Sequence, residues 1–307
     1  MKRAFVTGAS GFVGSHVVEQ LLGAGAEVAI LCRPDTNLWR LGELDRRVVH
    51  IQGDLANPGS YRDALREFGP EIVFHLAWHG VDNTLRNDLS QISANLQATL
   101  QLVDAAAEAG ALAWIGAGSQ AEYGPHMGRI GEDALTRPTT LYGASKLSAC
   151  HLAGRVAALR GLRFAWLRLF SIFGPKDNPG WMIPRMVRAL ARGERPALTL
   201  GEQRWDYLGV QDAAAAFLAV ASSPNAEGIF NLGSGEAPRL RDTIEFIRDL
   251  IDPSLPLGFG EIPYRPDQVM VLQADIGRLQ SEAGWSPRQS IRDGLRDTVD
   301  WYLTHPD

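Results

Sequence analysis

Cysteine is nearly missing from this chain. Two occur, Cys32 and Cys150, and neither stands in a CxxC pair or beside a histidine cluster. A disulfide framework and a zinc site are therefore excluded as organising devices, and no metal ligand set is expected. Blocks of about five or more like charges are missing too, and the formal charge is -5 with the seven histidines neutral. That removes the electrostatic footprint of a nucleic-acid or anionic-membrane binder. No apolar run reaches the about 18 residues of a membrane span, and AFVTGASGFVG, after Lys2 and Arg3, is too short and glycine-broken for a signal segment. Internal repeats, low-complexity tracts and flexible linkers are lacking as well. These absences point to a cytoplasmic protein with small-molecule partners.

Glycine, in contrast, is abundant at 32 of 307 residues, so turns that require it should exist. Short apolar runs at 3–7, 27–32, 47–51, 71–76, 111–116 and 163–169 read as strands, and helical periodicity lies at 12–22, 59–68, 88–109 and 141–160. Near-continuously apolar strands alternating with amphipathic helices predict a doubly wound parallel α/β sheet covered on both faces. After Gly174 the pattern changes to helix-like 182–193, strand-like 198–200, helix-like 211–222, strand 230–232, helix-like 239–251, a proline-rich loop at 253–266 and a closing helix at 291–303. The expected division is a dinucleotide-binding domain over 1–174 and a smaller, mainly substrate-binding domain over 175–307. Part of 206–232 is expected to return to the first.

TGASGFVG sets Gly8, Gly11 and Gly14 where the first strand hands over to the first helix. There the first glycine permits a tight turn, the second lets main chain approach a pyrophosphate, and the third allows close helix packing. An NAD site has a carboxylate about 20 residues on, at the end of the second strand, for the ribose 2′-hydroxyl. Here that strand ends Cys32-Arg33. A guanidinium suits a 2′-phosphate, so NADP(H) is favoured; alternatively Arg33 is a solvated charge, Asp35 takes the ribose, and NAD(H) binds. Asp54, after the third strand, stands where a carboxylate can reach an adenine amino group or merely close an acidic turn.

Tyr142 and Lys146, in TLYGASK, are four apart and share one helix face. A phenol with a pKa of about 10 is a poor acid near neutrality. An ammonium about 5 Å away at an effective dielectric of about 20 supplies roughly 3 kcal/mol, enough to lower that pKa by about two units. Ser119 ends the fifth strand in GAGSQAEYG, and ligands of open α/β sheets gather at such edges. Its hydroxyl can hold a carbonyl oxygen while the phenol moves a proton. The fourth strand brings Trp78 and His79 to the same rim, either as substrate contacts or as lining, and His75 is expected to be a core-edge histidine.

At this point the sequence resembles the extended short-chain dehydrogenase/reductases that act on nucleotide-sugars, the NAD-dependent epimerase/dehydratase family. TGASGFVG is similar to that family's cofactor turn, which adds Ser10, Phe12 and Val13 to the glycines. GDL with Asp54 and Leu55, HLA with Leu76 and Ala77, and Asn95 resemble its other cofactor contacts; Ser119, Tyr142 and Lys146 match its catalytic set. Later landmarks follow in order: RLFSIFGP at 168–175 with Ser171, GEQRWDY at 201–207, NLGSG at 231–235, YRPDQ at 264–268 and GWSP at 284–287. The resemblance implies diphosphate clamps at Arg265 and at the QxRDF position, here Trp205 beside Arg204, though Trp205 serves equally as packing. Homodimerisation through the 88–109 and 141–160 helices is implied as well.

Departures narrow the expected reaction. The family's dehydratases carry an Asp-Glu pair after the catalytic hydroxyl, and here Gln120 and Ala121 stand in those places. Reductases that also epimerise C3 and C5 have a cysteine in that segment, and GSQAEYG has none. What remains is hydride transfer with one proton, by a 4-ketoreductase or a 4-epimerase; resemblance to the reductases related to CDP-abequose synthase favours NAD(P)H-dependent reduction of a 4-keto-(6-deoxy)sugar nucleotide, with Trp78, His79, Ser119 and Gln120 toward the sugar. The alternatives are a 4-epimerase with tightly held NAD and, from another class, a non-catalytic NADP-sensing regulator.

Overall fold

The computed structural model describes residues 1–82, 84–265 and 268–305; the YRPDQ landmark thus falls partly outside the described residues. Seven parallel strands form the main sheet: β1 (Arg3–Thr7), β2 (Glu27–Cys32), β3 (Val49–Gln52), β4 (Ile72–His75), β5 (Ala113–Ser119), β6 (Arg163–Leu169) and β7 (Gly228–Leu232). Their spatial order is β7-β6-β5-β4-β1-β2-β3. The order reverses between β1 and β4, which sit side by side with Thr7 opposite His75, and ligands of doubly wound sheets bind at such a reversal.

Helices in the first half are α1 (Phe12–Gly23), α2 (Arg62–Phe68), the single turn α3 (Ser90–Ser93), α4 (Leu96–Glu108) and α5 (Leu141–Arg160). In the second they are α6 (Met182–Ala191), α7 (Val210–Ser222), α8 (Leu240–Ile251), α9 (Gly277–Ala283) and α10 (Ile291–Thr304). Successive strand residues point to opposite faces, so each strand feeds two cores. Ala4, Val6, Phe74 and Leu167 meet α1 and α7 on one side. Phe5, Val73, Trp114 and Trp166 meet α4 and α5 on the other. A third core gathers α6, α8 and α10 around Phe173, Val187, Ile244 and Leu295.

The expected helix over 88–109 is broken. Asn95 ends it locally: its side-chain oxygen accepts the His79 N–H at 2.7 Å, and its amide donates to the carbonyls of His79 and Gln91, both at 3.1 Å. The strand expected at 198–200 is Ala197–Leu198, paired with Gly258–Phe259 inside the supposed loop. Short parallel pairings of Ser171–Phe173 with Tyr207–Gly209 and of Arg129–Ile130 with Val271–Ala274 join the two halves of the chain, and Arg204–Trp205 pairs with Val271–Ala274 within the second.

Candidate active site

The glycine turn is a cradle without room for side chains. Gly8 adopts φ 76°, and Gly11 N–H closes the turn on the Gly8 carbonyl at 2.9 Å. A Cβ on Gly14 would stand 2.0 Å from the Gly8 oxygen, and one on Gly8 would stand 2.5 Å from the Ala77 nitrogen. α1 begins at Gly11 with no side-chain cap and no acidic residue in its first turn, which leaves N–H groups for an anion. These features fit a dinucleotide pyrophosphate. A cleft of ≈ 780 Å³ runs from this turn to Tyr142 and Lys146, a size common for small-molecule sites of about 300–1,000 Å³. Arg33, Asp54, Leu55, Leu76, Ala77 and Asn95 line it together with the glycine turn, Tyr142 and Lys146, whereas Asp35, the alternative ribose contact, does not.

At the far end of β2, Arg33 is exposed and stands 3.6 Å from the Asp35 carboxylate, so both candidate ribose contacts face the same solvent. Burial pushes the Cys32 thiol above its ordinary pKa, which keeps it a neutral side chain. Sequence reasoning missed two neighbours here. Thr36 Oγ1 accepts the Arg33 N–H at 3.0 Å, and Arg40 donates to the Ser10 carbonyl at 3.3 Å and to the Lys176 carbonyl at 2.8 Å. Lys176 returns a bond to the Arg40 carbonyl at 2.9 Å from a left-handed backbone, φ 65°. Arg40, Asp177, Asn178 and Trp181 all line the cleft, so this reciprocal tie spans its outer edge.

The inner end is drier. Tyr142 is 6% and Lys146 4% exposed. Lys146 Nζ donates to the Ala117 carbonyl at 2.6 Å and lies 3.8 Å from the Trp78 ring centroid. Burial brings its pKa down to about 7. Here the expectation from spacing needs correction: Tyr142 is not acidified by Lys146. Burial raises the phenol's pKa, and the opposing influences are the contact with Ser119 and the Arg86 guanidinium. Desolvation disfavours the charged form of both neighbours, and the lysine has turned toward the strand. His75 is saturated between Thr7 Oγ1 at 2.8 Å and Thr99 Oγ1 at 3.0 Å, and burial holds its pKa near 3, so it stays neutral.

Ser119 caps the short turn that follows β5. Its Oγ accepts the Ala121 N–H at 3.2 Å, while Glu122 Oε1 accepts the Ser119 N–H at 2.8 Å. This reciprocal S-x-x-E box was legible in the sequence but was passed over. Glu122 is fully buried and also accepts from Trp166 Nε1 at 2.9 Å and Arg168 Nε at 2.7 Å. Removing one partner of such a buried pair costs about 3–5 kcal/mol. Gly118 admits the indole: a Cβ there would fall 2.2 Å from Trp166 Nε1. Gln120 is half-buried beside Ser119, and His79 is exposed at the rim.

Of the remaining substrate candidates, the structure joins two. Trp205 Nε1 donates to Ser171 Oγ at 2.6 Å. Arg204 and Arg265 are exposed; they, like Ser119, Gln120, Ser171 and Trp205, lie outside the lining of the cleft, whereas Trp78 and His79 belong to it. Among the described residues no helix is long and apolar enough to cross a membrane.

With a glycine cradle, a buried Tyr-Lys pair and a capped serine on one doubly wound sheet, comparison with known proteins is informative. The NAD dependent epimerase/dehydratase family matches residues 4–233. The chain belongs to that family. Within it, the chain is 30% identical to the UDP-glucose 4-epimerase of Streptomyces lividans, over 98% of this chain and 96% of that protein. It is 28% identical to the GDP-6-deoxy-D-mannose reductase of Pseudomonas aeruginosa, over 98% and 97%. The solved UDP-glucose 4-epimerase of Thermus thermophilus, complexed with NAD, superposes with a TM-score of 0.86 at 27% identity, covering 98% of this chain and 99% of that one. Family relatives thus act on nucleotide-sugars as epimerases, dehydratases and reductases.

Proposed function

We propose that this protein reduces a 4-keto-(6-deoxy)sugar nucleotide to the corresponding sugar nucleotide, with Ser119, Tyr142 and Lys146 as catalytic residues. The observation that carries this reading is the cleft itself, with the glycine cradle at one end and the buried Tyr142 and Lys146, beside Ser119, at the other. Bound there, NAD(P)H supplies hydride to the sugar's carbonyl carbon. Ser119 orients the carbonyl oxygen, and Tyr142 gives that oxygen its proton. Lys146 binds the nicotinamide ribose. Burial of Tyr142 and Lys146 keeps the proton transfer away from bulk water. Arg33 favours NADPH over NADH, with Thr36 and Arg40 beside it. Trp78, His79, Gln120, Ser171, Arg204, Trp205 and Arg265 are read as contacts to the nucleotide-sugar.

The same reading takes residues 1–174, with part of 206–232 returning to it, as the cofactor domain and the rest of 175–307 as mainly the substrate domain. Homodimerisation through α4 and α5 is supported by the exposed Leu152 and Leu159 on α5. A cytoplasmic address is supported by two free thiols.

A second reading, a 4-epimerase that retains NAD, is favoured by the 30% identity to the Streptomyces lividans enzyme. The two separate cleanly in one experiment, in which purified protein is supplied with NADPH and a panel of 4-ketosugar nucleotides while nicotinamide absorbance is followed. Net NADPH consumption supports the reductase; NAD bound on purification, with interconversion of two sugar nucleotides and no net absorbance change, supports the epimerase. Tyr142→Phe should lower turnover at least about a hundredfold with cofactor affinity kept, and near-normal turnover would remove Tyr142 from its role.

A further inference from the structure

The cation that leans on Tyr142 comes from outside its own helix. The Arg86 guanidinium carbon lies 5.2 Å from the centroid of the Tyr142 ring. Two bonds fix that placement, one main-chain and one to a side chain: Tyr142 N–H donates to the Arg86 carbonyl at 2.8 Å, and Leu141 N–H donates to Asn87 Oδ1 at 3.1 Å. Behind the loop, the fully buried Gln91 donates to the carbonyls of Gly80 and Leu85 at 2.6 and 3.0 Å. Leu85, Arg86 and Asn87 are therefore held from two sides, by Gln91 and by the first turn of α5. Arg86 Nε is buried with no hydrogen-bond partner among the described residues, an arrangement that costs stability unless the charge has work to do.

We propose that Arg86 is a positioning residue of the proton-transfer site, its guanidinium held over the Tyr142 ring as the fixed positive charge that steadies the phenolate. This rests on Tyr142 being the general acid. When the carbonyl carbon accepts hydride, the π pair of the C=O bond moves to oxygen, and that oxygen takes the Tyr142 proton. The phenol O–H bond breaks, its electron pair stays on Tyr142, and solvent later returns a proton. For that interval a negative charge occupies a buried site. Lys146 faces it from the same helix, Ser119 and Glu122 from the end of β5, Trp78 from the end of β4, and Arg86 from the loop. Glu122 opposes the phenolate. A guanidinium does not lose its proton at working pH, whereas the buried ammonium of Lys146 titrates near 7. Arg86 is thus the cation that persists.

The test compares the cofactor-bound wild type with Arg86→Met and Arg86→Lys. One readout is the pH dependence of kcat/KM. The other is ultraviolet difference titration of the Tyr142 phenol, isolated by subtracting the same protein carrying Tyr142→Phe. Arg86→Met should move the Tyr142 titration, and the matching limb of the rate profile, upward by about one pH unit and lower kcat about tenfold, with cofactor affinity unchanged. Arg86→Lys should restore most of both. An unmoved Tyr142 titration in Arg86→Met, or a change confined to KM, overturns the proposal. If the wild type turns over no 4-ketosugar nucleotide, the reductase reading falls, yet the titration still decides the role of Arg86.

Discussion

The glycine turn at the head of α1 and the Ser171–Trp205 pair of the second half are made of different material. Around Gly8 and Gly14 the contacts are main chain on main chain, and no rotamer can relieve an intruding atom. Trp205 sits on a two-residue strand, and its side chain makes one hydrogen bond, to a serine, and otherwise packs among apolar side chains. A main-chain cradle recognises what every ligand of a class shares, while a wall of side chains can be retuned one residue at a time. Relatives that work on different nucleotide-sugars with one cofactor class are what such a division of labour permits.

Substitution at the rigid region should have the largest effect. Gly14→Ala drives a methyl into the Gly8 carbonyl, and strain of that kind costs about 1–3 kcal/mol. Cofactor binding, followed by fluorescence titration, should be lost, and the urea midpoint should fall; unchanged affinity would mean that the cradle yields like a side-chain wall and the contrast is false. Trp205→Phe keeps the ring and removes one hydrogen bond worth about 1 kcal/mol. Steady-state kinetics should show KM for the sugar nucleotide raised about fivefold with kcat nearly constant, and an equal fall in kcat would move Trp205 into the rigid group.

The seam between the regions should show its effect in stability rather than in activity. Asp177 is buried, its carboxyl pushed up to about 7 by burial, with Arg40 only partly offsetting this. A carboxyl raised above its unfolded value of 3.8 stabilises the fold fully below that pH, and the contribution disappears as pH rises through about 7. Thermal melts should therefore show Asp177→Asn gaining on the wild type between pH 4 and about 7, with a constant margin beyond. A pH-independent margin would show that Asp177 ionises freely.

The rigid region was also the more legible one. Apolar strands alternating with amphipathic helices, a glycine-rich first turn, and a tyrosine four before a lysine carry their geometry in local spacing, so the doubly wound sheet, the cradle and the Tyr142–Lys146 face could all be read. The pairings Ser171–Phe173 with Tyr207–Gly209 and Arg204–Trp205 with Val271–Ala274 could not, because two to four residues hold too little periodicity. Nor could the tie between Arg40 and Lys176, 136 positions apart, or the approach of Arg86 to Tyr142. Both are created by tertiary folding. The phenol's acidity was misjudged for a related reason: spacing reports proximity but not desolvation, and burial outweighed the neighbouring charge.

Gly118 and Trp166 carry a consequence for how this sequence can drift. The indole lies where any side chain at 118 would stand, and its nitrogen holds Glu122, which holds the Ser119 main chain. A lineage that keeps tryptophan at 166 is bound to keep glycine at 118, and one that loses the indole frees 118 while loosening its hold on the serine. Gly118, on the wall of the cleft, and Trp166 behind it are thereby inherited as a unit with the chemistry above them.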